Sequence, residues 1–262
     1  RNKKSTNPQI EFPIVLKTID PEDYFRKGLI LQLKLLDKNK SLEDHFLPVD
    51  DEFDKAISSA YAIGASNLHP INPFAPNGWK LCFSDRYKNL YDKKFIQLTD
   101  RSAGLSIAMA VQWATLGIQP TRPVLFSACL DGEGGISPVA GAQEKAVAAR
   151  ENGLPLFICT EEDISSLPNT VRLSPLRNFL DTLQEVKTVL REHGITFVIN
   201  RTVWENWLLS TRKIGNITHI EQGLDFVNHY LNTKDDHGWM WDDEPLFIHQ
   251  LKEIWAHLIG SL

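Results

Sequence analysis

Apolar positions near the start of the chain fall into two short strips, residues 10–16 and 29–36. In the second strip leucines occupy alternate positions, a period that is typical of a half-buried β-strand. Residues 51–66 follow a different pattern. They begin with acidic residues and continue with small ones, which predicts a helix. A segment rich in Pro and Asn follows at residues 67–78 and predicts a loop.

The middle of the chain alternates short apolar runs with longer segments of small residues. The runs predict strands at residues 79–84, 94–99, 123–130, 154–160 and 195–200. The longer segments predict helices at residues 102–116, 139–152 and 174–192, with a Gly-rich turn at 131–135. Gly117 is placed to end the first helix, and Ser174 and Pro175 fit the N-cap and first position of the third. This order predicts an α/β (α+β) layered core.

From Arg201 the character of the sequence changes, with many Trp and His residues. Residues 218–231 and 245–259 have helical periodicity, so residues 201–262 are predicted to be a helical C-terminal extension. We therefore divide the chain into an N-terminal strand-containing segment, residues 1–50, a core, residues 51–200, and this extension.

Composition narrows the possible functions. The 262 residues are 23% charged with a formal net charge of −5, which is typical of a globular protein and gives no basic footprint for nucleic acid. No apolar stretch is long enough to span a membrane, and no signal peptide is visible. Cys82, Cys129 and Cys159 are widely spaced within apolar runs, which predicts buried thiols in a reducing cytoplasm. Because the chain begins with Arg1, we expect it to be part of a larger protein.

Ser102 lies in the stretch TDRSAGLSIAMA, where a loop leads into the first predicted core helix. A serine at a helix start is usually an N-cap. The same position also places its hydroxyl beside helix amides that have no intrahelical partner, and such amides favour a developing negative charge. A nucleophile with an oxyanion site would have this arrangement.

Lys145 lies within a predicted helix among alanines, in the stretch GEGGISPVAGAQEKAVAAR. A lysine of this kind can extend its amine to solvent along the surface. On an apolar face, desolvation would instead favour the neutral amine, which can take a proton from a serine hydroxyl. Ser–Lys pairs are a known variant of the catalytic triad.

Together these segments resemble the proteolytic domain of the Lon family. The nucleophile of that family lies in a P-S-A-G stretch at a helix start, matched here by Ser102–Ala103–Gly104. Its lysine closes a stretch resembling G-x-V-x-P-I-G-G-L-K-E-K, which aligns without a gap to residues 134–145. The order and separation of the two motifs are those of the family, and the resemblance covers roughly residues 51–192.

The resemblance implies a Lon-protease-like fold of the ribosomal protein S5 domain 2-like type and a serine endopeptidase with Ser102 and Lys145 as its catalytic dyad. The family's T-G-E falls on Ser127–Ala128–Cys129, so Ser127 would orient the lysine. Ala103 and Gly104 would support the oxyanion, and Asp100 is the acidic residue nearest the serine. The substrate would be a protein or peptide. The resemblance also implies a ring of subunits or an attached ATPase or sensor domain. It implies neither a nucleic-acid partner nor a membrane partner.

No cofactor or metal is expected in this segment. The family's ATPase would precede the protease, and no Walker A sequence occurs here, so ATP would act only through a domain outside this chain. Three departures from the family surround the serine and lysine. Arg101 replaces the proline before the serine, Thr99 occupies the usual place of an acidic residue, and Cys129 replaces the glutamate of T-G-E.

Three alternatives stay open. Gly104–Leu105–Ser106 is similar to the phosphate loop of GHMP small-molecule kinases, although Ile107 breaks the run of serines. The chain could also keep a Lon-like fold as a non-catalytic scaffold. A metal cluster near the C-terminus is conceivable, although the spacing fits no compact motif and a solvated surface is favoured. Its candidate ligands are His229, His237, His249, Asp235, Asp236, Asp242 and Asp243.

Overall fold

The computed structural model describes residues 9–17, 28–37, 49–66, 79–83, 98 and 101–200, together with two helical positions, His249 and Ala256. The predicted loop at 67–78, most of the predicted strand at 94–99 and nearly all of the predicted C-terminal helices lie outside the described residues.

The described chain contains four helices, which are α1 (Asp51–Gly64), α2 (Gly104–Leu116), α3 (Ala142–Glu151) and α4 (Phe179–Glu192). The strands before α2 are β1 (Gln9–Lys17), β2 (Gly28–Asp37) and β3 (Trp79–Phe83). Those between α2 and α3 are β4 (Ile118–Pro120), β5 (Leu125–Ser127), β6 (Cys129–Leu130) and β7 (Gly134–Ser137). The strands after α3 are β8 (Leu156–Ile158), β9 (Thr170–Arg172), β10 (Leu176–Asn178) and β11 (Phe197–Ile199). This is a mixed α/β fold.

The sheet β1–β2–β3 is antiparallel and lies between two apolar cores. The even-numbered apolar residues of β1 and the odd-numbered leucines of β2 join the larger core with α1 and α2. Val15 of β1 and Ile30 of β2 face the other way, onto the alanines of α3. Side chains alternate across a strand, so a run of apolar residues can serve two cores at once. The N-terminal strands therefore pack directly against the segment that carries the candidate site.

Helix α2 is buried along its whole length. Its residues are apolar on every side, the pattern expected of a helix enclosed by other elements. It packs closely against α1, where a Cβ on Gly64 would lie 2.6 Å from the Ala108 carbonyl oxygen. As predicted, Gly117 ends the helix, and its φ of 66° is in the left-handed region that favours glycine. The first candidate helix is thus held almost entirely by apolar packing.

The predicted strand at 123–130 is two strands. β5 runs parallel to β8 in the sheet β5–β8–β9, whereas β6 pairs antiparallel with β7 in the sheet β10–β7–β6. The chain leaves the first sheet at Ala128, whose amide donates to the Ser102 carbonyl at 3.1 Å instead of to a strand. A continuous apolar run does not reveal this change of sheet, because the residues on both sides are buried.

The third predicted helix begins later than expected. Ser174 and Pro175 do not start α4, because the next residues form β10 and pair with β7, with Asn178 opposite Gly134. The helix starts at Phe179, and Asn178 is its N-cap, accepting from the Asp181 amide at 3.0 Å. Strand pairing to a distant segment has overridden a plausible local start signal.

In the same region the structure differs from two further predicted boundaries. Residues 134–137, half of them predicted as turn, form β7, and the turn itself is closed by Asp131, whose carboxylate accepts from the Gly135 amide at 2.8 Å. Helix α3 begins at Ala142 and not at Val139, because Gly141 has a φ of 76° that interrupts helical backbone. Within the described residues no helix is both long and apolar enough to cross a membrane.

Candidate functional site

Ser102 lies in a turn immediately before α2. The helix begins at Gly104 with Ala103 as N-cap, so Ser102 is outside the helix and does not cap it. The Gly104 amide donates to the Arg101 carbonyl at 3.0 Å and closes the turn. The Ala103 amide has no acceptor within the described part of the chain. Of the two residues predicted to support an oxyanion, Ala103 therefore presents the available amide, and Gly104 shapes the turn.

Lys145 lies in the first turn of α3, where its amide donates to the Gly141 carbonyl at 3.1 Å. Its side chain is buried, with the residue 2% exposed. The amine Nζ donates to the Ser127 hydroxyl at 2.9 Å. Ser127 is itself 0% exposed, at the end of β5. The lysine therefore does not extend to solvent, and it contacts the hydroxyl that the sequence places in the supporting role.

Ser102 and Lys145 each bind one of two consecutive residues, Ala128 and Ser127. Lys145 contacts the Ser127 side chain, and the amide of the next residue, Ala128, holds the Ser102 carbonyl. The Ser102 residue is 3% exposed, so both candidate catalytic side chains are nearly covered. No direct hydrogen bond joins the Ser102 hydroxyl to the Lys145 amine, although both residues are described. Catalytic hydrogen bonds are often long in proteins without substrate and shorten only when substrate binds.

The N-terminus of α3 is occupied by a carboxylate that sequence analysis did not assign. Both oxygens of Glu162 accept backbone hydrogen bonds, one from the Gly141 amide at 2.6 Å and one from the Ala142 amide at 3.0 Å. Asp and Glu favour helix N-termini, because unpaired amides and the positive end of the helix dipole lie there. No local signal reveals this contact, since the carboxylate comes from 20 residues further along the chain.

Ser106 is the serine of the kinase-like string, and its hydroxyl is already used. The Oγ atom donates to the Phe126 carbonyl at 2.9 Å, and the residue is 3% exposed. A phosphate-binding serine must present its hydroxyl and neighbouring amides to solvent. This contact instead attaches α2 to β5, the strand that ends at Ser127.

Arg101, which precedes Ser102, forms an ion pair with α1. Its guanidinium contacts Glu52 through Nε at 2.6 Å and Nη2 at 2.5 Å. Hydrogen bonds from Lys55 and Arg101 lower the pKa of the Glu52 carboxyl below its usual value. The turn that carries Ser102 is thereby joined to a second helix. Asp100 and Thr99 lie outside the described residues.

The cysteines differ in their surroundings. Cys159 is fully buried, and burial raises the pKa of its thiol to about 11. Its amide donates to the Ser127 carbonyl at 3.0 Å. Cys129, which occupies the place of the family's glutamate, is half-buried. Cys82 lies in β3, where only the backbone is described.

Within the described residues, no group of three or more His, Cys, Asp or Glu side chains could hold a metal ion. His229 and His237 and the neighbouring aspartates lie outside these residues, so the conceivable cluster there stays a hypothesis. No protein-family model matches the sequence, and no curated protein matches it at a significant level. Function is therefore inferred from the residues and their geometry.

Proposed function

We propose that the chain is a Lon-like serine peptidase in which Ser102 is the nucleophile and Lys145 the general base. One observation carries the proposal. The Lys145 amine is 2% exposed and lies 2.9 Å from the Ser127 hydroxyl, next to the residue whose amide holds Ser102. Burial disfavours the charged form of an amine. A neutral amine has a lone pair that can take a proton.

The reaction follows from these positions. The Lys145 amine takes the hydroxyl proton of Ser102, and the Ser102 oxygen attacks the carbonyl carbon of the substrate. The Ala103 amide at the start of α2 stabilises the oxyanion. The protonated amine then gives its proton to the leaving amide nitrogen as the peptide bond breaks. Water, deprotonated by the same amine, hydrolyses the acyl-enzyme and restores Ser102.

Because Ser102 is nearly covered, a small reagent is the first test of the proposal. A residue that is 3% exposed admits a small reagent more readily than a folded protein. A fluorophosphonate, which phosphonylates activated serines with loss of fluoride, is therefore the first probe, and the modified peptide is located by mass spectrometry. Cleavage of an unfolded protein substrate is the second measurement.

Variants of the two candidate residues and of the nearby Ser106 serve as controls. Ser102→Ala should abolish both labelling and cleavage, and Lys145→Met should slow both. Ser106→Ala is the matched serine, since it lies in the same buried stretch and its hydroxyl serves only the Phe126 carbonyl. It should retain wild-type labelling. Labelling at Ser106, or equal labelling of wild type and Lys145→Met, would be evidence against the dyad.

A non-catalytic scaffold with a Lon-like fold is a second candidate. The absence of a direct Ser102–Lys145 hydrogen bond between these two described residues favours it. The same experiment separates the two functions, because a scaffold would neither react with the fluorophosphonate nor lose its partner on Ser102→Ala. The kinase alternative has less support, since Ser106 is already bound to Phe126.

A further inference from the structure

We propose that Glu162 is a positioning residue for Lys145, acting through the N-terminus of α3. The inference rests on the proposed function for its catalytic meaning, but the contact chain on which it depends is structural. Glu162 binds the Gly141 and Ala142 amides, the Lys145 amide binds the Gly141 carbonyl, and the Lys145 amine binds Ser127.

The way α3 is capped differs from that of two other helices in the molecule. Helix α1 is capped by Asp50, which accepts from the Phe53 amide, and α4 by Asn178. Both caps are local and come from the residue just before the helix. Helix α3 has no such cap, because its N-cap is Gly141 and offers no side-chain acceptor. Its first amides donate instead to Glu162, which follows β8 in the chain. The cap of α3 is therefore a tertiary contact and not a local one.

The acid in the first turn of α3 does not take this role. Glu144 forms an ion pair with Lys17 of β1, with 2.9 Å between its Oε1 and Nζ. Its carboxylate is therefore directed to the N-terminal sheet. Glu162 is the described carboxylate that holds the first amides of the helix, and it holds two of them with its two oxygens.

The loop that carries Glu162 is itself fixed. The Arg172 guanidinium donates to the carbonyls of Thr160 and Glu162. The Thr160 hydroxyl donates to the Val139 carbonyl at 2.9 Å and accepts from the Glu162 amide at 3.2 Å. The backbone of the loop that carries Glu162 is thus held by Arg172 of β9 and, through Thr160, by the segment before α3. A fixed carboxylate can set the position of the helix start, and with it the direction of the Lys145 side chain.

Glu162→Gln is the primary test, because it keeps the size of the side chain and one acceptor oxygen but loses the second acceptor and the charge. Glu162→Ala loses both acceptors. Two controls are built into the chain. Glu161→Gln alters the exposed neighbouring acid, and Asn178→Ala removes the cap of α4, a helix that carries neither Ser102 nor Lys145. Melting temperatures are measured for all four.

The first readout is Ser102 modification by the fluorophosphonate, measured as a function of reagent concentration. For Glu162→Ala we expect the maximal rate to fall roughly 10- to 100-fold with little change in the half-saturating concentration, since small misplacement of a catalytic group costs about this much. Glu162→Gln should be intermediate. Asn178→Ala and Glu161→Gln should match wild type, even where Asn178→Ala lowers the melting temperature as much. Wild-type rates for both Glu162 variants, or an equal loss in Asn178→Ala, would overturn the inference.

The second readout does not require activity. In protein labelled with ¹³C at the lysine ε-carbon, the Lys145 resonance is assigned by its loss in Lys145→Arg. It should shift in Glu162→Gln and stay in place in Asn178→Ala. An unchanged resonance would overturn the inference. If wild type fails to react with the fluorophosphonate, the proposed peptidase function fails, and this resonance alone decides whether Glu162 positions Lys145.

Discussion

The helix that follows Ser102 and the helix that carries Lys145 are held in different ways. Helix α2, which follows Ser102, is buried on every side and has no side-chain cap. Its contacts are mainly apolar packing, with the Ser106 hydroxyl donating to the Phe126 carbonyl, and the turn before it is held by the Ala128 amide on the Ser102 carbonyl. Helix α3, which carries Lys145, has polar residues at its surface, a glycine N-cap and a carboxylate on its first amides. These directed contacts add to the apolar packing of its alanines against β1 and β2.

This difference predicts which kinds of substitution the surroundings of Ser102 and of Lys145 tolerate. Apolar packing is sensitive to volume and shape, and many weak contacts share the stabilisation. Directed hydrogen bonds are sensitive to the loss of a single partner. Four experiments test the site, beginning with the one of largest expected effect.

Replacing Lys145 by methionine should separate catalysis from stability. The rate of Ser102 modification should fall about 10³-fold, the usual contribution of a general base. The free energy of unfolding should change by less than about 1 kcal/mol, because an apolar side chain of similar length fills the buried space. Urea denaturation measures the second quantity. Lys55→Met, at a lysine whose side chain is 61% exposed, is the control and should change neither. A strongly destabilised Lys145→Met would mean that the amine is mainly structural.

Gly28→Ala should disturb the packing of β2 against α3, the helix that carries Lys145, because it adds volume without adding a charge. A Cβ on Gly28 would lie 2.2 Å from the Glu144 carbonyl oxygen and 2.8 Å from the Ala148 Cβ. Backbone cannot move aside as a flexible side chain can, so we expect a loss of about 3 kcal/mol in the free energy of unfolding. Gly132→Ala meets nothing within 4 Å and should cost less than about 0.5 kcal/mol. Equal stability of the two variants in urea would contradict the close packing of β2 on α3.

Ser127 and Ser106 form a matched pair of buried serines, each with one hydrogen bond of 2.9 Å. Ser127→Ala removes the acceptor of the Lys145 amine and should lower the rate of Ser102 modification about tenfold, equivalent to about 1.4 kcal/mol. Ser127→Thr keeps the hydroxyl and should restore most of the rate. Ser106→Ala should cost about 1 kcal/mol of stability without slowing the reaction. If Ser106→Ala slowed the reaction as much, the two hydroxyls would not have separate roles.

The smallest expected effect is a difference in the rate of alkylation between Cys129 and Cys159. Burial raises the pKa of Cys159 to about 11, so at pH 8 only about one in a thousand of its thiols is ionised. Cys129 is half-buried. Iodoacetamide at pH 8 should therefore alkylate Cys129 while Cys159 stays unmodified until the protein unfolds, as followed by peptide mass spectrometry. Equally rapid alkylation of both in folded protein would show that the strand beside Ser127 is open to solvent.

Part of the fold follows from local pattern. The alternation in residues 29–36 predicted β2, the acidic start of residues 51–66 predicted α1, and Gly117 ended α2 where expected. Where the pattern was ambiguous, distant pairing decided. Residues 123–130 are apolar apart from Ser127, so their division between two sheets depends on β7 and β8. Ser174 is a good helix start, but pairing of β10 with β7 moved the start to Phe179.

The sequence by itself indicated the candidate pair, because the stretches around Ser102 and Lys145 resemble those of the Lon family in their order and separation. It also indicated a hydroxyl near the lysine at Ser127. Only the tertiary structure decided that the Lys145 amine is buried against that hydroxyl, that the Ala128 amide binds the Ser102 carbonyl, and that Glu162 holds the start of α3. The physical reason is the same in each case. Burial and hydrogen-bond partners are properties of segments that are far apart in the chain, and no local pattern of residue types encodes which of those segments will meet.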